Sequence, residues 1–242
     1  MTVLRATLVL IALGASIARG DVVTSLSGPE LLVTGDSAPN AIAITPAVGG
    51  IAVTGFDGTL VDGGSASVTF TGVQRLSVKL MQADDRVLVS QVTLAGSLYV
   101  GVGKGNDSVE LDQVFAGAVR IQTSKGYDAV RIFGPSRFDS LTVQLGTGAD
   151  LLVVQAVDVG GDLTAIAGGD DDDVSIAGVT VYHDLDVHLG NGDDFLSVGD
   201  VAIGDDTHLA GDDDDVLVLY GYLWFEDELD IDGFGIDDWW WW

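Results

Sequence analysis

Aspartate recurs at a nearly constant interval through the chain, always close to glycine, and this pairing could bind a hard cation. The recurring positions are 20 to 22 residues apart: Asp85, Asp107, Asp128, Asp150, Asp172, Asp194 and Asp214. Ca²⁺ prefers carboxylate and carbonyl oxygens, and glycine lets the carbonyls of a tight corner turn toward an ion. Further carboxylates flank the later positions. The sequence therefore predicts calcium ligands at Asp150, Asp171, Asp172, Asp193, Asp194, Asp213 and Asp214.

A stack of these carboxylates needs neutralising charge. Two carboxylates about 5 Å apart repel by roughly 3 kcal/mol at an effective dielectric of 20. Lys104 and Lys125 lie three residues before the repeated aspartate in early repeats, but all ten Lys and Arg lie at or before Arg137. From Phe138 onward the chain has 26 of its 37 acidic residues and no Lys or Arg. Bound cations are one interpretation, and solvated turns are the other, since Asp and Gly are also good turn residues.

Apolar residues alternate on both sides of each repeated aspartate. Two columns follow it, beginning at Val87 and Val89, and two precede it, beginning at Leu76 and Val78. Period-two alternation rich in β-branched residues predicts strands with one buried face. A repeat of about 22 residues has no room for a helix. The prediction is an all-β, single-stranded parallel β-helix (a β-solenoid) of about eight or nine coils. It is expected to be right-handed, as parallel crossovers almost always are.

The chain divides into four predicted parts. Residues 1–20 are typical of an export signal, which predicts a secreted or cell-surface protein with no transmembrane segment in the mature chain. Residues 21–75 are expected to form an N-terminal cap and irregular first coils, with Asn40 in the aspartate position. Residues 76–218 form the regular coils. Residues 219–242 form an aromatic and acidic last coil or cap, in which the Trp239–Trp242 run is either an apolar lid or a ragged tail.

Three corner segments resemble a known calcium-binding repeat. Gly103–Leu111 (GKGNDSVEL), Gly146–Val154 and Gly190–Val198 are similar to the GGxGxDxUx nonapeptide of the haemolysin-type (RTX) repeats. The resemblance implies a parallel β-roll with calcium in its turns. RTX rolls have two such turns in each coil, whereas this chain has one in about 22 residues, so the ligand set does not transfer directly. The long repeat looks more like the Gly/Asp-rich solenoids of secreted bacterial surface proteins.

Two other kinds of site deserve comparison with calcium binding. Parallel β-helices include polysaccharide lyases and hydrolases, and a groove around Arg120 and Arg131, with Lys125 and Arg137, near Asp107 and Asp128 would indicate such an enzyme. The alternative interpretation is that these basic residues only compensate the negative charge of the stacked aspartates. His188 and His208 each lie six residues before a repeated aspartate, on an outward face. They could share a transition metal with Asp186, or simply be surface histidines.

The sequence favours a structural or adhesive β-solenoid without catalytic activity, stabilised by calcium. The formal net charge of −27 excludes nucleic acid as a partner and favours divalent cations, with carbohydrate or cell-envelope components as further candidates. A monomer is expected. The runner-up is a carbohydrate-active parallel β-helix enzyme, and a decaying repeat protein with no distinct activity is the third possibility. The chain has no cysteine, so disulfides do not contribute to its stability.

Overall fold

The computed structural model describes residues 20–64 and 66–234, and in these ranges the chain contains strands and turns only. The chain therefore has no helix there that could cross a membrane. Residues 1–19 of the predicted signal and the Trp239–Trp242 run lie outside the described ranges. The strands, in chain order, are β1 (Asp21–Ser27), β2 (Glu30–Gly35), β3 (Ala41–Ala47), β4 (Gly50–Gly55), β5 (Leu60–Val61), β6 (Ser67–Thr71), β7 (Arg75–Lys79), β8 (Arg86–Ser90), β9 (Leu98–Gly101), β10 (Ser108–Asp112), β11 (Phe115–Gln122), β12 (Ala129–Thr147), β13 (Leu151–Val159), β14 (Leu163–Gly169), β15 (Asp173–Ala177), β16 (Thr180–Val181), β17 (Leu185–Asn191), β18 (Phe195–Ile203), β19 (Thr207–Ala210), β20 (Val216–Phe225) and β21 (Leu229–Asp232).

The strands wind into a parallel β-solenoid of about seven turns with about 22 residues in each, which confirms the predicted fold class. Each turn contributes to three faces. The first face stacks β2, β7, β9, β11, β12, β14, β17, β19 and β21 in parallel. The second face stacks β3, β8, β10, β12, β13, β15, β18 and β20. A shorter third face uses parts of β11, β12, β13, β16, β18 and β20.

The hydrophobic core runs along the axis because equivalent side chains stack in register. The two predicted columns after the aspartate are buried on the second face from Val87 and Val89 to Leu196 and Val198. The first face contributes the predicted columns that begin at Leu76 and Val78. The third face adds a column that was not predicted: Val92, Val114, Val157, Val179 and Val201. Each buried aliphatic side chain stabilises the coil by roughly 1.5–3 kcal/mol.

Hairpins replace a full coil at the N-terminal end. β1 pairs with β2, and β3 pairs with β4 and β4 with β6, all antiparallel. β2 stacks directly on β7, so Leu31 lies next to Leu76 although 45 residues separate them in the chain. About two repeat lengths of sequence thus form a single turn with its hairpins. The solenoid therefore has fewer turns than the eight or nine expected. Antiparallel partners also cover the backbone edge that an open parallel stack would expose.

Candidate functional site: the aspartate corner

The corner between the first and second faces contains one buried aspartate in each coil from Asp85 onward. We call these residues the aspartate column: Asp85, Asp107, Asp128, Asp150, Asp172, Asp194 and Asp215. In each of them the Oδ1 atom accepts a hydrogen bond from the backbone N–H of the column residue one coil before it, at 2.6–2.8 Å. Asn40 occupies the N-terminal end of the column, as predicted, and its N–H donates to Asp85.

The carboxylate replaces a hydrogen-bond acceptor that the parallel ladder does not supply at the corner. The carbonyl oxygen of Asp150 accepts the N–H of Asp173 in the next coil, at 2.9 Å. The N–H of Asp150 donates instead to the side chain of Asp172, at 2.8 Å. Each column residue from Asp85 to Asp194 is therefore tied to the next coil by two hydrogen bonds. A buried N–H left unpaired would cost about 1–3 kcal/mol, so the column is a structural requirement of the stack.

The second oxygen of most column carboxylates is buried without a partner. Among the described residues, no hydrogen bond reaches the Oδ2 atoms of six members: Asp85, Asp107, Asp128, Asp150, Asp172 and Asp194. Burial, the largest effect, raises the pKa of Asp107 and Asp172 to about 7 and that of Asp85 and Asp150 to about 6, although the backbone N–H bonds oppose the shift. Neighbouring carboxylates raise these pKa values further. Protons or cations would therefore relieve the column near neutral pH.

The burial of the aspartate column was not predicted, although the chain contains a signal for it. Asp107 precedes Val109 and Leu111 by two and four residues, and both of those residues are buried on the second face. In a strand, residues two apart point to the same side. The aspartate therefore has the inward parity of the core columns, whereas the Gly/Asp composition of the corner favoured a solvated turn.

The residues predicted as calcium ligands fall into two groups. Asp150, Asp172 and Asp194 belong to the buried column. The other four, Asp171, Asp193, Asp213 and Asp214, are exposed at the same corner.

The assignment of Asp214 to the repeated position is wrong, because Asp215 accepts the N–H of Asp194 and lies in the column. As a result Leu217 and Leu219 pack against the core, while Val216 and Val218 are exposed. The sequence could not fix this register, because residues Val216 to Leu219 are apolar at every position and fit either parity.

A second column, of exposed and mainly polar side chains, runs along the outside of the corner. It consists of the residues that immediately precede the aspartate column: Asp84, Asn106, Tyr127, Ala149, Asp171, Asp193 and Asp214. We call it the exposed column. Its hydrogen bonds run the opposite way along the stack, since the N–H of Asp193 donates to Oδ1 of Asp171 at 3.0 Å and that of Asn106 to Asp84 at 2.8 Å. Asp171, Asp193 and Asp214 thus bring accessible carboxylates to the C-terminal coils.

The glycines of the corner have a steric reason of their own. A Cβ atom on Gly148 would lie 1.8 Å from the carbonyl oxygen of Gly126, and one on Gly168 would lie 2.0 Å from that of Gly146. Both residues also have positive φ angles, 118° and 128°. Close packing of successive coils therefore requires glycine here, whether or not an ion is bound.

The basic residues lie in the early coils, and among the Lys and Arg of the described residues only Arg75 pairs with a carboxylate, that of Glu30 at 3.5 Å. Lys104 and Lys125 are stacked at the corner, and Glu110 lies beside Arg131 in register, as predicted. Arg120 lies on the first face, where its Nη2 donates to Oε1 of Gln144 at 2.8 Å. Arg131 lies on the second face, so these two arginines do not line one groove.

Among the described residues, the surface includes two shallow depressions. One, of about 320 Å³, lies near the N-terminal hairpins and includes Pro46, Ile51 and Val92 in its lining. The other, of about 210 Å³, lies beside the third face and includes Phe115, Arg137 and Asp139. Only the second brings a base and a carboxylate to one depression.

His188 and His208 lie close together as predicted, with their ring centroids 5.1 Å apart. Their predicted alignment in one column is wrong, because His208 pairs with Asp186 and His188 pairs with Ala210. Asp186 lies in the same cluster on the first face. The chain matches no protein-family model, and no curated protein or solved structure shows a significant match to it. The resemblance to the haemolysin-type repeats therefore depends on the corner residues alone. The structure shows the solenoid and its stacked aspartates.

Proposed function

We propose that the protein is a structural or adhesive β-solenoid, exported to the cell surface or beyond, and that calcium stabilises its acidic C-terminal coils. One observation carries the proposal: the aspartate column stacks buried carboxylates in every coil, and beyond Arg137 no Lys or Arg compensates them. A cation at the exposed column would offset this charge.

Calcium is the cation that this corner suits best. Asp171, Asp193 and Asp214 follow one another in successive coils, which are about 4.8 Å apart in a parallel stack. Ca²⁺ accepts six to eight oxygen ligands in flexible arrangements, and neighbouring carboxylates with water can provide them. Asp172 and Asp194, the residues that follow Asp171 and Asp193, have buried Oδ2 atoms. In the proposal the ion acts on them through its field rather than by direct coordination.

The regular coils support a structural role. Successive strands stack residue on residue, and the loops between them in the regular coils are short. Arg120 and Arg131, which an enzymatic groove would need to share, lie on different faces. Uniform coils present long flat surfaces, which suit a spacer or an adhesive surface for carbohydrate or cell-envelope components.

Calorimetric titration tests the calcium sites. The wild-type mature chain should bind Ca²⁺, whereas the triple variant Asp171→Asn, Asp193→Asn, Asp214→Asn should lose most of the binding heat. The control variant Asp139→Asn, Asp158→Asn, Asp227→Asn removes the same charge from exposed positions away from the exposed column and should bind as the wild type does. Equal losses in both variants would show diffuse charge attraction and would overturn the site.

Export has an independent test. Expressed with residues 1–20 in a secreting bacterial host, the chain should reach the medium or cell surface with Asp21 as its new N-terminus, as read by mass spectrometry. Retention inside the cell with residues 1–20 attached would contradict this part of the proposal.

A carbohydrate-active enzyme is the second candidate, favoured by the depression that Phe115, Arg137 and Asp139 line. An aromatic ring, a base and a carboxylate together could bind an acidic sugar. Release of new sugar ends from anionic polysaccharides by the wild type, and its loss in Arg137→Ala, would support this candidate. Activity that survives in Arg137→Ala would remove the depression as its site.

A further inference from the structure

Two of the three histidines in the chain meet on the first face, away from the aspartate corner. His188 belongs to β17 and His208 to β19, in the next coil. Their rings are 5.1 Å apart, with an angle of 71° between the planes. A nitrogen from each ring and a carboxylate oxygen of Asp186 all lie within 4.8 Å of one another. The cluster thus contains two imidazoles and a carboxylate, the donor set of many transition-metal sites.

The strand register holds this cluster in place. Val187 and Leu209 are fully buried, so Asp186, His188 and His208, next to them in sequence, lie on the outer side of the face. Asp186 pairs with His208 across the two strands, and His188 is two residues farther along β17. Sites on regular strands keep their geometry better than sites on loops, because the backbone is fixed by its ladder.

We propose that Asp186, His188 and His208 bind one first-row transition-metal ion, with Zn²⁺ as the best match. Imidazole nitrogen is a ligand for Zn²⁺, Cu²⁺ and Ni²⁺, whereas Ca²⁺ takes oxygen ligands, so this site and the calcium corner differ in chemistry. With bonds of about 2.0–2.2 Å, the ligand atoms around tetrahedral zinc lie about 3.3 Å apart. All three side chains are half-buried. Small side-chain rotations at this surface can close the remaining distance, and a fourth position stays open to water.

The surrounding charge favours a cation. Asp230 pairs with His208 on the next coil, and Asp232 pairs with Ala210. His208, Asp230 and Asp232 form a second set with ligand atoms within 4.8 Å, but it contains only one imidazole and its carboxylates are exposed. We assign the ion to the set with two histidines and treat Asp230 and Asp232 as added negative charge near it.

Metal binding would join successive coils near the C-terminal end. The ion would link β17 to β19, next to the final coil, where Tyr220, Tyr222 and Trp224 are exposed. Such a link acts in addition to the backbone ladder and stabilises the folded chain by mass action. This role is independent of calcium at the corner and goes beyond the proposed function.

Calorimetry with Zn²⁺ alone, on the metal-stripped mature chain in millimolar Ca²⁺, tests the site. We expect one Zn²⁺ per chain. His188→Ala and His208→Thr should each weaken binding at least about tenfold, a loss that even supporting groups of metal sites produce. These substitutions copy Ala210 and Thr164, which occupy equivalent outward positions on neighbouring strands. His183→Ala is the control, since His183 lies apart, 3.2 Å from Asp205, and it should leave binding unchanged.

Other outcomes would overturn the assignment. Unchanged affinity in His208→Thr, or an equal loss in His183→Ala, would refute it. Loss of binding in Asp230→Asn, Asp232→Asn with binding retained in His188→Ala would move the ion to the second set. A measurement on the wild type needs no variant to fold: Zn²⁺ should protect His188 and His208, but not His183, from chemical modification detected by mass spectrometry. Equal modification of all three histidines with and without Zn²⁺ would refute the site.

Discussion

Two substitutions of Asp107 separate the charge of the aspartate column from its hydrogen bond. Oδ1 of Asp107 accepts the N–H of Asp85 at 2.7 Å, and the side chain is 2% exposed. Asp107→Asn removes the ionisable group but keeps an oxygen acceptor. Asp107→Ala removes both. Comparison of the two variants with the wild type therefore gives each contribution separately.

The size of the charge effect follows from the pKa. Burial, with some help from Asp128 and Asp85, raises the pKa of Asp107 from 3.8 to about 7. Because the native state keeps its proton after the unfolded chain has lost it, the site is most favourable below pH 3.8 and loses stability as pH rises toward 7. A shift of about three units corresponds to about 4 kcal/mol, of which between about 1 and 2 kcal/mol is already lost at pH 5. The wild type should thus lose roughly 2–3 kcal/mol at this residue between pH 5 and pH 8.

Urea unfolding in chelator at pH 5 and pH 8 measures both contributions of Asp107, that of its charge and that of its hydrogen bond. The free energy of unfolding of Asp107→Asn should rise relative to the wild type by roughly 2–3 kcal/mol from pH 5 to pH 8. Asp107→Ala should be less stable than Asp107→Asn by about 1–3 kcal/mol at both pH values, because the N–H of Asp85 loses its acceptor. The exposed control Asp139→Asn should follow the wild type. If Asp107→Asn and the wild type change in parallel with pH, the buried charge plays no part.

Gly148→Ala, with Gly178→Ala as its control, tests the packing of the corner, and Asn40→Asp tests its charge. Gly148→Ala should destabilise the fold by at least about 3 kcal/mol, because its Cβ would meet the carbonyl oxygen of Gly126 at a strained φ. Gly178→Ala, where no atom lies within 3.6 Å of the new Cβ, should cost only about 1–2 kcal/mol in thermal unfolding, and equal costs would refute the steric account. Asn40→Asp extends the column by one buried carboxylate beside Asp85, so it should lower the unfolding midpoint more at pH 8 than at pH 5. A loss that does not depend on pH would show that only the Asn40 amide contacts matter.

The sequence predicts the fold well where the repeat is regular. From Val87 to Val198 the apolar columns have a fixed spacing, and the apolar, often β-branched residues lie on one side of each strand. The buried face of each strand can therefore be predicted. The N-terminal region was harder to predict, because Leu31 and Leu76 are 45 residues apart, which is close to two repeats. Coils and hairpins of that length have a similar alternation of apolar and polar residues. Only the pairing of strands that are distant in the chain distinguishes them.

The sequence predicts where the aspartate corner lies in the chain, but not that its aspartates are buried. The spacing located Asp150, Asp172 and Asp194 at a corner, yet their composition favoured solvent, whereas the structure buries them as acceptors for backbone N–H groups. Their spacing of two and four residues to the core columns gives them inward parity, but the Gly/Asp composition of the corner is equally typical of a solvated turn. His188 and His208 could be placed on the same outer face of neighbouring coils, but not in register, because the repeat position in the last coil had been assigned to Asp214 instead of Asp215.

Thermal unfolding of the mature chain, followed by far-ultraviolet circular dichroism, tests the central claim most directly. The midpoint is compared in chelator, in millimolar Ca²⁺ and in millimolar Mg²⁺, all at the same ionic strength. Calcium stabilisation of the aspartate corner predicts a midpoint that rises strongly with Ca²⁺ and much less with Mg²⁺. A midpoint that is the same in chelator and in Ca²⁺ would contradict it, and the buried column would then be sustained by its protons and hydrogen bonds alone.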